Sequence, residues 1–328
     1  MMALPLTLAC WDYDRVRPLM DGRVRVAGAD LTFLPFIVEE TFFRMLRHRE
    51  FDVSELSMSS YVVSLTRPER PFVAIPVFPS RFFRHSCVYL NANSGIREPK
   101  DLIGKRVGVP EYQMTAPVWI RGILADEYGV PVDSVTYVTG GEETPNREEK
   151  LKLDLPPNIR VERIGPDQTL AQILKTGEID ALHTARKPST FDGETVTRLF
   201  PDFVPVEREY FQRTGIFPIM HVIAIRREVY EANRWIAMNL FTAFREAQAL
   251  AYADLRETAA LKTMLPWANA AVEEADALMG ADFWPYGLEP NRTTLETFLR
   301  YHHAQGLSNR LVSPEEMFAP ETLERFVI

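Results

Sequence analysis

The segment IREPKDLIGKRVGVPEYQMTAPVWIRGIL, residues 96–124, constrains the fold more than any other part of the chain. It predicts a short helix that stops at Gly104, an apolar strand over residues 107–109, and a helix with Thr115 as its N-cap that runs to about residue 128. Pro110 ends the strand, and the polar residues Glu111 and Gln113 follow it. Ligands of open α/β sheets bind at the carboxyl ends of such strands, so this edge is a candidate binding site.

An earlier segment repeats this pattern. Residues 51–56 predict a strand, and Ser57 and Ser59 stand at the start of a helix that runs to residue 65. Free N–H groups and the helix dipole at both helix starts favour a carboxylate or a phosphate. If the two segments lie in different lobes, a cleft between the lobes suits a ligand with two acidic groups. The alternative is that Ser57, Ser59 and Thr115 only cap helices.

The pattern of elements predicts two lobes. Lobe 1 is expected to contain residues 1–86 and 205–328, including the C-terminal helices, and lobe 2 residues 87–204. Residues 24–26 and 30–36 predict a hairpin-like pair of strands. The polar, proline-flanked residues 142–157 predict a surface loop.

Composition narrows the class of protein. The 328 residues, 46% of them hydrophobic, can form the cores of two lobes. The sequence contains no run of eighteen uncharged apolar residues, so it predicts no membrane span. A net charge of −8 without a long basic run argues against a nucleic-acid partner. Cys10 and Cys87 lack disulfide or zinc spacing and are expected to be free thiols. The N-terminus does not resemble a secretion signal, which predicts a cytoplasmic protein.

Two patterns carry a resemblance to known proteins. PKDLIGKRVGV and LKTGEIDA resemble the type 2 periplasmic-binding-protein fold. This resemblance implies an α/β protein of two lobes, each a mixed sheet flanked by helices, with a ligand cleft between them. A narrower resemblance is to the 4,5-dihydroxyphthalate decarboxylase family. It is carried by FDVSELSMSSY at 51–61, PVFPSRFFRHS at 76–86, GVPEYQMTAPVWIRGIL at 108–124, GIFPIMH at 215–221, WPYG at 284–287 and NRTTLETFLRYHHAQGL at 291–307.

The family resemblance implies removal of one carboxylate from 4,5-dihydroxyphthalate, giving protocatechuate and carbon dioxide in phthalate catabolism. A site for this reaction needs donors for two carboxylates, an acceptor for a phenolic proton and a proton donor near the ring carbon. His221 is our first candidate for the proton donor and His85 the second, because histidine exchanges protons near neutral pH. Glu55 is the candidate proton acceptor, and Glu111 has the same claim from lobe 2.

The remaining candidates bind substrate. Arginine makes bidentate bonds to carboxylates, and aromatic residues contact a ring. The expected binding residues are Ser57, Ser59, Arg81, Arg84, Glu111, Gln113, Thr115, Tyr13, Arg186 and Tyr286. Each has a structural alternative: the arginines form ion pairs, the histidines are core residues, the glutamates pair with arginines, and the aromatic residues pack the lobes.

Several questions stay open at this stage. No spacing resembles HExxH, and we expect no cofactor, but histidines, carboxylates and a catecholic substrate together suit a divalent metal ion, which is the open alternative. A non-catalytic solute-binding protein of the ABC-transporter type, binding a small aromatic carboxylate, is the competing class. A ligand-sensing regulatory domain is less favoured because no helix-turn-helix is visible. We also hypothesise a homo-oligomer.

Overall fold

The computed structural model describes residues 3–147 and 150–323. The strands are β1 Leu4–Ala9, β2 Ala29–Leu34, β3 Val53–Ser57, β4 Phe72–Ile75, β5 Val88–Asn91, β6 Arg106–Val109, β7 Thr136–Thr139, β8 Arg160–Arg163, β9 Ala181–His183, β10 Val196–Arg198 and β11 His221–Arg226. The α-helices are α1 Arg17–Met20, α2 Val38–His48, α3 Met58–Leu65, α4 Thr115–Tyr128, α5 Leu170–Thr176, α6 Phe203–Thr214, α7 Arg227–Ala232, α8 Trp235–Leu255, α9 Ala268–Met279 and α10 Arg292–Ala304.

The described chain divides into two compact units. Unit 1 contains residues 3–81, 221–293 and 313–323, and unit 2 contains residues 82–147, 150–220 and 294–312. The lobes predicted from the sequence differ in three segments, because they assign residues 82–86, 205–220 and 294–312 to lobe 1. Helix α10 belongs largely to unit 2 because its aromatic side chains pack on α4, where the Phe298 and Trp119 ring centroids are 5.4 Å apart.

The sheet of unit 1 has the strand order β2-β1-β3-β11-β4. Strand β1 runs parallel to β2 and β3, whereas β11 is antiparallel to both β3 and β4. The predicted hairpin at residues 24–36 is wrong, since β2 pairs with β1 in parallel and residues 24–26 form no strand. Val24 and Val26 are instead buried loop residues that fill the core beside the sheet.

The β3–α3 segment has the predicted form, with bounds shifted by up to two residues. Every residue of β3 is buried, including Glu55. Ser57 is the N-cap of α3, where its hydroxyl accepts a hydrogen bond from the Ser60 N–H at 3.5 Å. The predicted strand at 51–56 thus begins and ends slightly later, and the junction carries Glu55 and Ser57 at the end of a buried strand.

The sheet of unit 2 has the order β10-β5-β9-β6-β7-β8. Strands β9, β6, β7 and β8 are parallel, and β5 is antiparallel to β9 and to β10. Helix α5 and the residues after it pack closely on this sheet: a side chain at Gly108 would come within 3.3 Å of Leu170 in α5 and 2.7 Å of Ile179. Gly177, with a φ of 82°, ends α5 in the left-handed conformation. These glycines explain the two patterns that carried the fold resemblance.

Two predictions about unit 2 need correction. Thr115 is the first residue of α4, not its N-cap; the N-cap is Met114, which cannot accept a side-chain hydrogen bond of this kind. Glu142 does not begin a surface loop, because this residue is buried, with only 9% of its surface exposed.

The prediction of an α/β fold with two mixed sheets flanked by helices is confirmed. Within residues 3–147 and 150–323, no helix is both long and apolar enough to span a bilayer.

Candidate functional site

The candidate site of unit 1 is built on the antiparallel pair β3–β11. Ile223 lies opposite Glu55 and His221 opposite Ser57, so Glu55 and His221 are diagonal neighbours on one face of the sheet. The Nδ1 atom of His221 lies 2.6 Å from Oε1 of Glu55. The structure therefore brings together the first candidate proton donor and the candidate acceptor.

Glu55 is completely buried, and donors occupy both of its oxygens. The Tyr13 hydroxyl donates to Oε1 at 2.7 Å, the Trp11 backbone N–H donates to Oε2 at 3.1 Å, and the Cys10 thiol lies 3.5 Å from Oε2. Burial by itself raises the pKa of the Glu55 carboxyl, but His221 and the hydrogen bonds from Trp11 and Tyr13 outweigh burial and hold the pKa below its usual value. Glu55 is therefore an ionised group that holds His221, and its predicted role as acceptor for a substrate proton stays a prediction.

Tyr13 and Cys10 remain protonated donors to this carboxylate. Burial and the negative charge of Glu55 raise the pKa of the Tyr13 hydroxyl, and the same two causes raise the pKa of the Cys10 thiol. Tyr13, predicted to contact the substrate ring, thus contacts Glu55 through its hydroxyl. The contributions of Cys10 and of the Trp11 N–H were missed, although WDYDR directly after β1 marks the carboxyl end of a strand.

The His221 side chain is 16% exposed, and the Phe42 ring packs against the imidazole edge-on with centroids 4.8 Å apart. Glu55 holds Nδ1, and Nε2 makes no hydrogen bond to a described residue. A carboxylate that fixes one ring nitrogen sets the orientation of the ring and leaves the other nitrogen to exchange a proton with a ligand. His221 therefore has the geometry of a general acid or base.

An arginine, Arg15, lies beside the residues that hold Glu55. The Arg15 guanidinium lies 4.2 Å from the centroids of both the Tyr13 and Trp284 rings and donates to the Pro79 carbonyl at 2.7 Å. Sequence reasoning missed Arg15. Its contacts place a positive charge beside Tyr13, which the ion pair with Asp14 at 3.0 Å partly offsets and which favours an anionic ligand.

Arg81 and Tyr286 are both buried in unit 1. Arg81 donates to the Pro285 carbonyl at 2.7 Å and to Oδ1 of Asn291, and burial lowers its pKa to about 9. The Tyr286 hydroxyl has no hydrogen-bond partner in the described chain. Arg81 thus anchors residues 285–291, which is the structural alternative, and its predicted contact with a carboxylate stays a prediction. Ser57 caps α3, and Ser59 is fully buried in that helix.

In unit 2, Glu111 and Gln113 lie together after β6. Glu111 accepts hydrogen bonds from Lys150 at 2.7 Å, from Gln113 at 2.9 Å and from Arg147 at 3.2 Å. This arrangement is the ion-pair alternative for Glu111. Thr115 is buried at the start of α4, and the structure gives no contact that tests its predicted role.

The remaining candidates of unit 2 have structural surroundings. Arg84 is buried, stacks 4.7 Å from the centroid of the Phe82 ring and donates to Met220 Sδ at 3.1 Å. His85 is enclosed by the rings of Tyr128, Phe200 and Tyr210, and burial lowers its pKa to about 4. His85 is therefore neutral at pH 7, and its predicted role as second candidate proton donor stays a prediction. Arg186 is exposed.

Several buried polar atoms of unit 2 have no hydrogen-bond partner among the described residues. They include Oε1 of Gln113, Nη1 of Arg121, Oε1 of Glu142 and both ring nitrogens of His183. Such atoms are rare in native proteins, which makes these side chains candidates for ligand contact. No group of three or more His, Cys, Asp or Glu side chains suited to a metal ion occurs within residues 3–147 and 150–323.

Solved structures show which fold this chain has. A ligand-binding component of an ABC-type import system from Staphylococcus aureus is 11% identical, with 98% of each chain covered and a TM-score of 0.53. The periplasmic aliphatic sulphonate binding protein from Escherichia coli is 13% identical, with 98% of this chain and 99% of that chain covered and a TM-score of 0.50. The chain has the periplasmic-binding-protein-like fold, as its sequence predicts.

Curated relatives identify the family. A 4,5-dihydroxyphthalate decarboxylase from Comamonas testosteroni is 43% identical over 330 residues, covering 100% of both chains. A protein of the same name from Pseudomonas putida is 46% identical over 191 residues, covering 58% of this chain and 74% of the relative. No family model matches the chain. The chain belongs to the 4,5-dihydroxyphthalate decarboxylase family, which confirms the narrower resemblance.

Proposed function

We propose that this protein is a carboxy-lyase that converts 4,5-dihydroxyphthalate to protocatechuate and carbon dioxide. The observation that carries the proposal is the 43% identity, over the full length of both chains, to a relative of that name. The Glu55–His221 pair supports it, because decarboxylation of an aromatic ring requires a proton donor.

In the proposed reaction, protonated His221 transfers the proton on Nε2 to the ring carbon that bears the departing carboxylate. The hydroxyl para to that carbon gives up its proton to solvent and supplies electron density to the ring, whose π electrons form the new C–H bond, so the ring loses aromaticity. The C–C bond then breaks, carbon dioxide leaves, and the electron pair of that bond restores the aromatic ring. Rebinding of a proton at the phenolic oxygen completes a balanced exchange of carbon dioxide for one proton.

Glu55 acts in this mechanism through His221. Its carboxylate stabilises the imidazolium form and holds the ring orientation, as carboxylates do in other histidine-based sites. The Tyr13 hydroxyl and the Trp11 N–H in turn fix the carboxylate at 2.7 and 3.1 Å. Positioned general acids contribute roughly 10²- to 10⁴-fold to a rate, which is the effect this arrangement supplies.

We also propose that the reaction needs no cofactor. The para hydroxyl of the substrate is itself the electron source, so neither a redox group nor an electron-sink cofactor is required. Turnover that persists after dialysis against a chelator supports this proposal. Loss of turnover on chelation, restored by one divalent metal, contradicts it and favours the metal alternative.

The deciding experiment is carbon dioxide release from purified protein incubated with 4,5-dihydroxyphthalate. The His221→Ala variant should lose at least about 100-fold in kcat. His48→Ala is the matched control, because His48 is an exposed histidine of unit 1 at the end of α2. Tight binding of the substrate without turnover by the wild-type protein contradicts the proposal and favours a non-catalytic solute-binding protein.

Two further properties belong to this proposal: a cytoplasmic location and a homo-oligomeric state. Two buried free thiols, Cys10 and Cys87, suit a reducing compartment. The exposed apolar residues Met264, Leu265 and Trp267 suit association between subunits. Cell fractionation tests the location. A monomer mass by light scattering contradicts the oligomer.

A further inference from the structure

A buried carboxyl group lies at the carboxyl edge of the parallel strands of unit 2. Val109, the last residue of β6, pairs with Thr139, the last residue of β7, and Gly108 pairs with Leu182 of β9. Glu142 follows β7 by three residues, and Thr184 directly follows β9. Both residues therefore leave the sheet at the edge where α/β proteins bind ligands.

The backbone that carries Glu142 is tightly fixed. A side chain at Gly140 would come within 2.3 Å of Ile164, and one at Gly141 within 1.7 Å of the Thr144 carbonyl oxygen. The carbonyls of Gly141 and Glu142 accept hydrogen bonds from the N–H groups of Leu170 and Ala171 at the start of α5. The turn thus requires two glycines, and α5 holds Glu142 in place.

The two oxygens of Glu142 have different surroundings. Oε2 accepts a hydrogen bond from the Thr184 hydroxyl, which in turn accepts from the Arg186 N–H at 3.4 Å. Oε1 is buried, with no partner in the described part of the chain. Because Thr184 donates to Oε2, a proton on Glu142 resides on Oε1, and a buried O–H without an acceptor is destabilising.

The charge state of Glu142 can change near neutral pH. Burial raises its pKa to about 7, with Glu143 adding to the effect, while the Thr184 hydroxyl, Arg186 and Arg147 act in the opposite direction. The negative charge of Glu142 also contributes to the raised pKa of the Tyr89 hydroxyl on β5. Arg147, which also pairs with Glu111, and Arg186 are positive charges near Glu142, so a ligand acceptor that approaches Oε1 is best supplied by a carboxylate.

We propose that Glu142 is a ligand-contacting residue of unit 2 that, oriented by Thr184, donates a hydrogen bond from Oε1–H to a carboxylate oxygen of an aromatic acid. This inference rests on the proposed function for the class of ligand. It assigns to Glu142 recognition of one carboxylate and no part in breaking the C–C bond. A negative ligand at this position disfavours ionisation of Glu142, so binding above pH 7 takes up a proton.

The test uses phthalate as the probe, because phthalate has both carboxylates but no hydroxyl to drive decarboxylation. Calorimetry of the wild-type protein should show that the Kd rises roughly 25-fold from pH 6.5 to pH 8.5, as expected if only the neutral form of a group with a pKa of about 7 binds. At pH 8, titrations in buffers of different ionisation enthalpy should show uptake of nearly one proton.

Glu142→Gln retains a neutral donor that cannot titrate. We expect its Kd to change less than threefold over the same pH range and its proton uptake to disappear. Glu143→Gln is the matched control, since Glu143 is exposed and accepts hydrogen bonds from Ser189. It should retain the proton uptake and the loss of affinity with rising pH, with a midpoint shifted to slightly lower pH because the charge of Glu143 contributes to the raised pKa of Glu142. Thr184→Val should weaken binding and shift the pH dependence without abolishing it, and circular dichroism checks that each variant is folded.

The outcomes separate this inference from the proposed function. A wild-type protein that binds no phthalate, or a Glu142→Gln variant with the pH dependence and proton uptake of the wild type, overturns the inference whether or not the enzyme turns over. Failure to release carbon dioxide from 4,5-dihydroxyphthalate overturns the proposed function. If phthalate binding still shows the expected difference between wild type and Glu142→Gln, the inference about Glu142 stands.

Discussion

Glu55 has no exposed surface, and donors from unit 1 contact both of its oxygens. A buried carboxylate is tolerated only when its charge is compensated, and here His221 and hydrogen bonds from two residues near the end of β1 compensate it. Because these donors fix the Glu55 carboxylate, the carboxylate in turn fixes the position of the His221 side chain that it holds. The position of the His221 imidazole therefore depends on β1 as well as on β3.

Replacement of Glu55 by glutamine should lower kcat by about 10²- to 10⁴-fold with a much smaller change in KM. The amide keeps an acceptor oxygen for Trp11 or Tyr13, but it cannot stabilise an imidazolium. Steady-state kinetics on variants that show native circular dichroism measure the effect. Tyr13→Phe, which removes one hydrogen bond worth about 1 kcal/mol, should lose only about fivefold. A Glu55→Gln enzyme with wild-type kcat contradicts the role assigned to the pair.

His85→Phe should keep its activity at pH 7 and become less sensitive to acid. The folded-state pKa of His85 is about 4, below its ordinary value, so the unfolded chain binds more protons between about pH 6.5 and pH 4 and stability falls as the pH falls. This histidine should therefore cost the wild type about 2 kcal/mol between pH 7 and pH 5. Urea unfolding at both pH values measures the difference from the variant. Loss of turnover at pH 7 would restore His85 as a catalytic candidate.

Sequence reasoning found Glu55 and His221 separately, but not their relationship. They are 166 residues apart, and their contact depends on the register of β11 against β3. Period-two alternation shows which residues share a face of a strand, but it does not show which strand lies alongside. Glu142 was missed for a related reason, because polar residues after it predicted a loop and its burial depends on Thr184, 42 residues away.

At the scale of elements, α4 and α10 approach closely in unit 2. A side chain at Gly122 in α4 would lie 2.0 Å from Cδ2 of Tyr301, whose hydroxyl donates to Asp126 at 2.8 Å. Tyr301 cannot move away without losing that bond and its edge contact with Trp119. The helix contact thus depends on the absence of one methyl group.

Gly122→Ala tests whether this packing outweighs helix propensity. Alanine favours a helix by about 1 kcal/mol relative to glycine, whereas overpacking costs about 1–3 kcal/mol or more. Because the overlap involves a ring held on two sides, we expect net destabilisation in urea unfolding. Ala125→Gly in the same helix relieves no such overlap, so it measures the effect of helix propensity alone on the free energy of unfolding. A stabilised Gly122→Ala variant would show that Tyr301 moves freely.

The type of most elements could be predicted from local patterns, while their ends and partners could not. The strand at 107–109 and the helix after Thr115 were evident because an apolar run, Pro110 and an apolar helix succeed one another. The error at residues 24–36 arose because a glycine between two apolar runs also fits a loop leading into a parallel strand. Only the pairing with β1 distinguishes the two.

At the scale of the whole molecule, the fold does not determine the function. Chains of 11–13% identity have this fold and are described as binding proteins, so the fold alone does not imply decarboxylation. Phthalate should therefore stabilise wild type and His221→Ala alike, by about 2.7 kcal/mol at 100 times the Kd, because binding does not need the proton donor. Thermal unfolding with and without ligand measures this. Stabilisation lost in His221→Ala would mean that His221 binds the ligand.

Strand β11 lies between β3 and β4 and pairs with both, although more than a hundred residues of chain separate it from them. During translation β3 and β4 are therefore synthesised long before β11, the strand that joins them. At that stage Glu55 is present in the nascent chain and His221 is not. The sheet of unit 1 and its proton donor are completed in the same step. A truncated translation product that ends before residue 221 can contain neither, so premature fragments should be both unfolded in unit 1 and inactive.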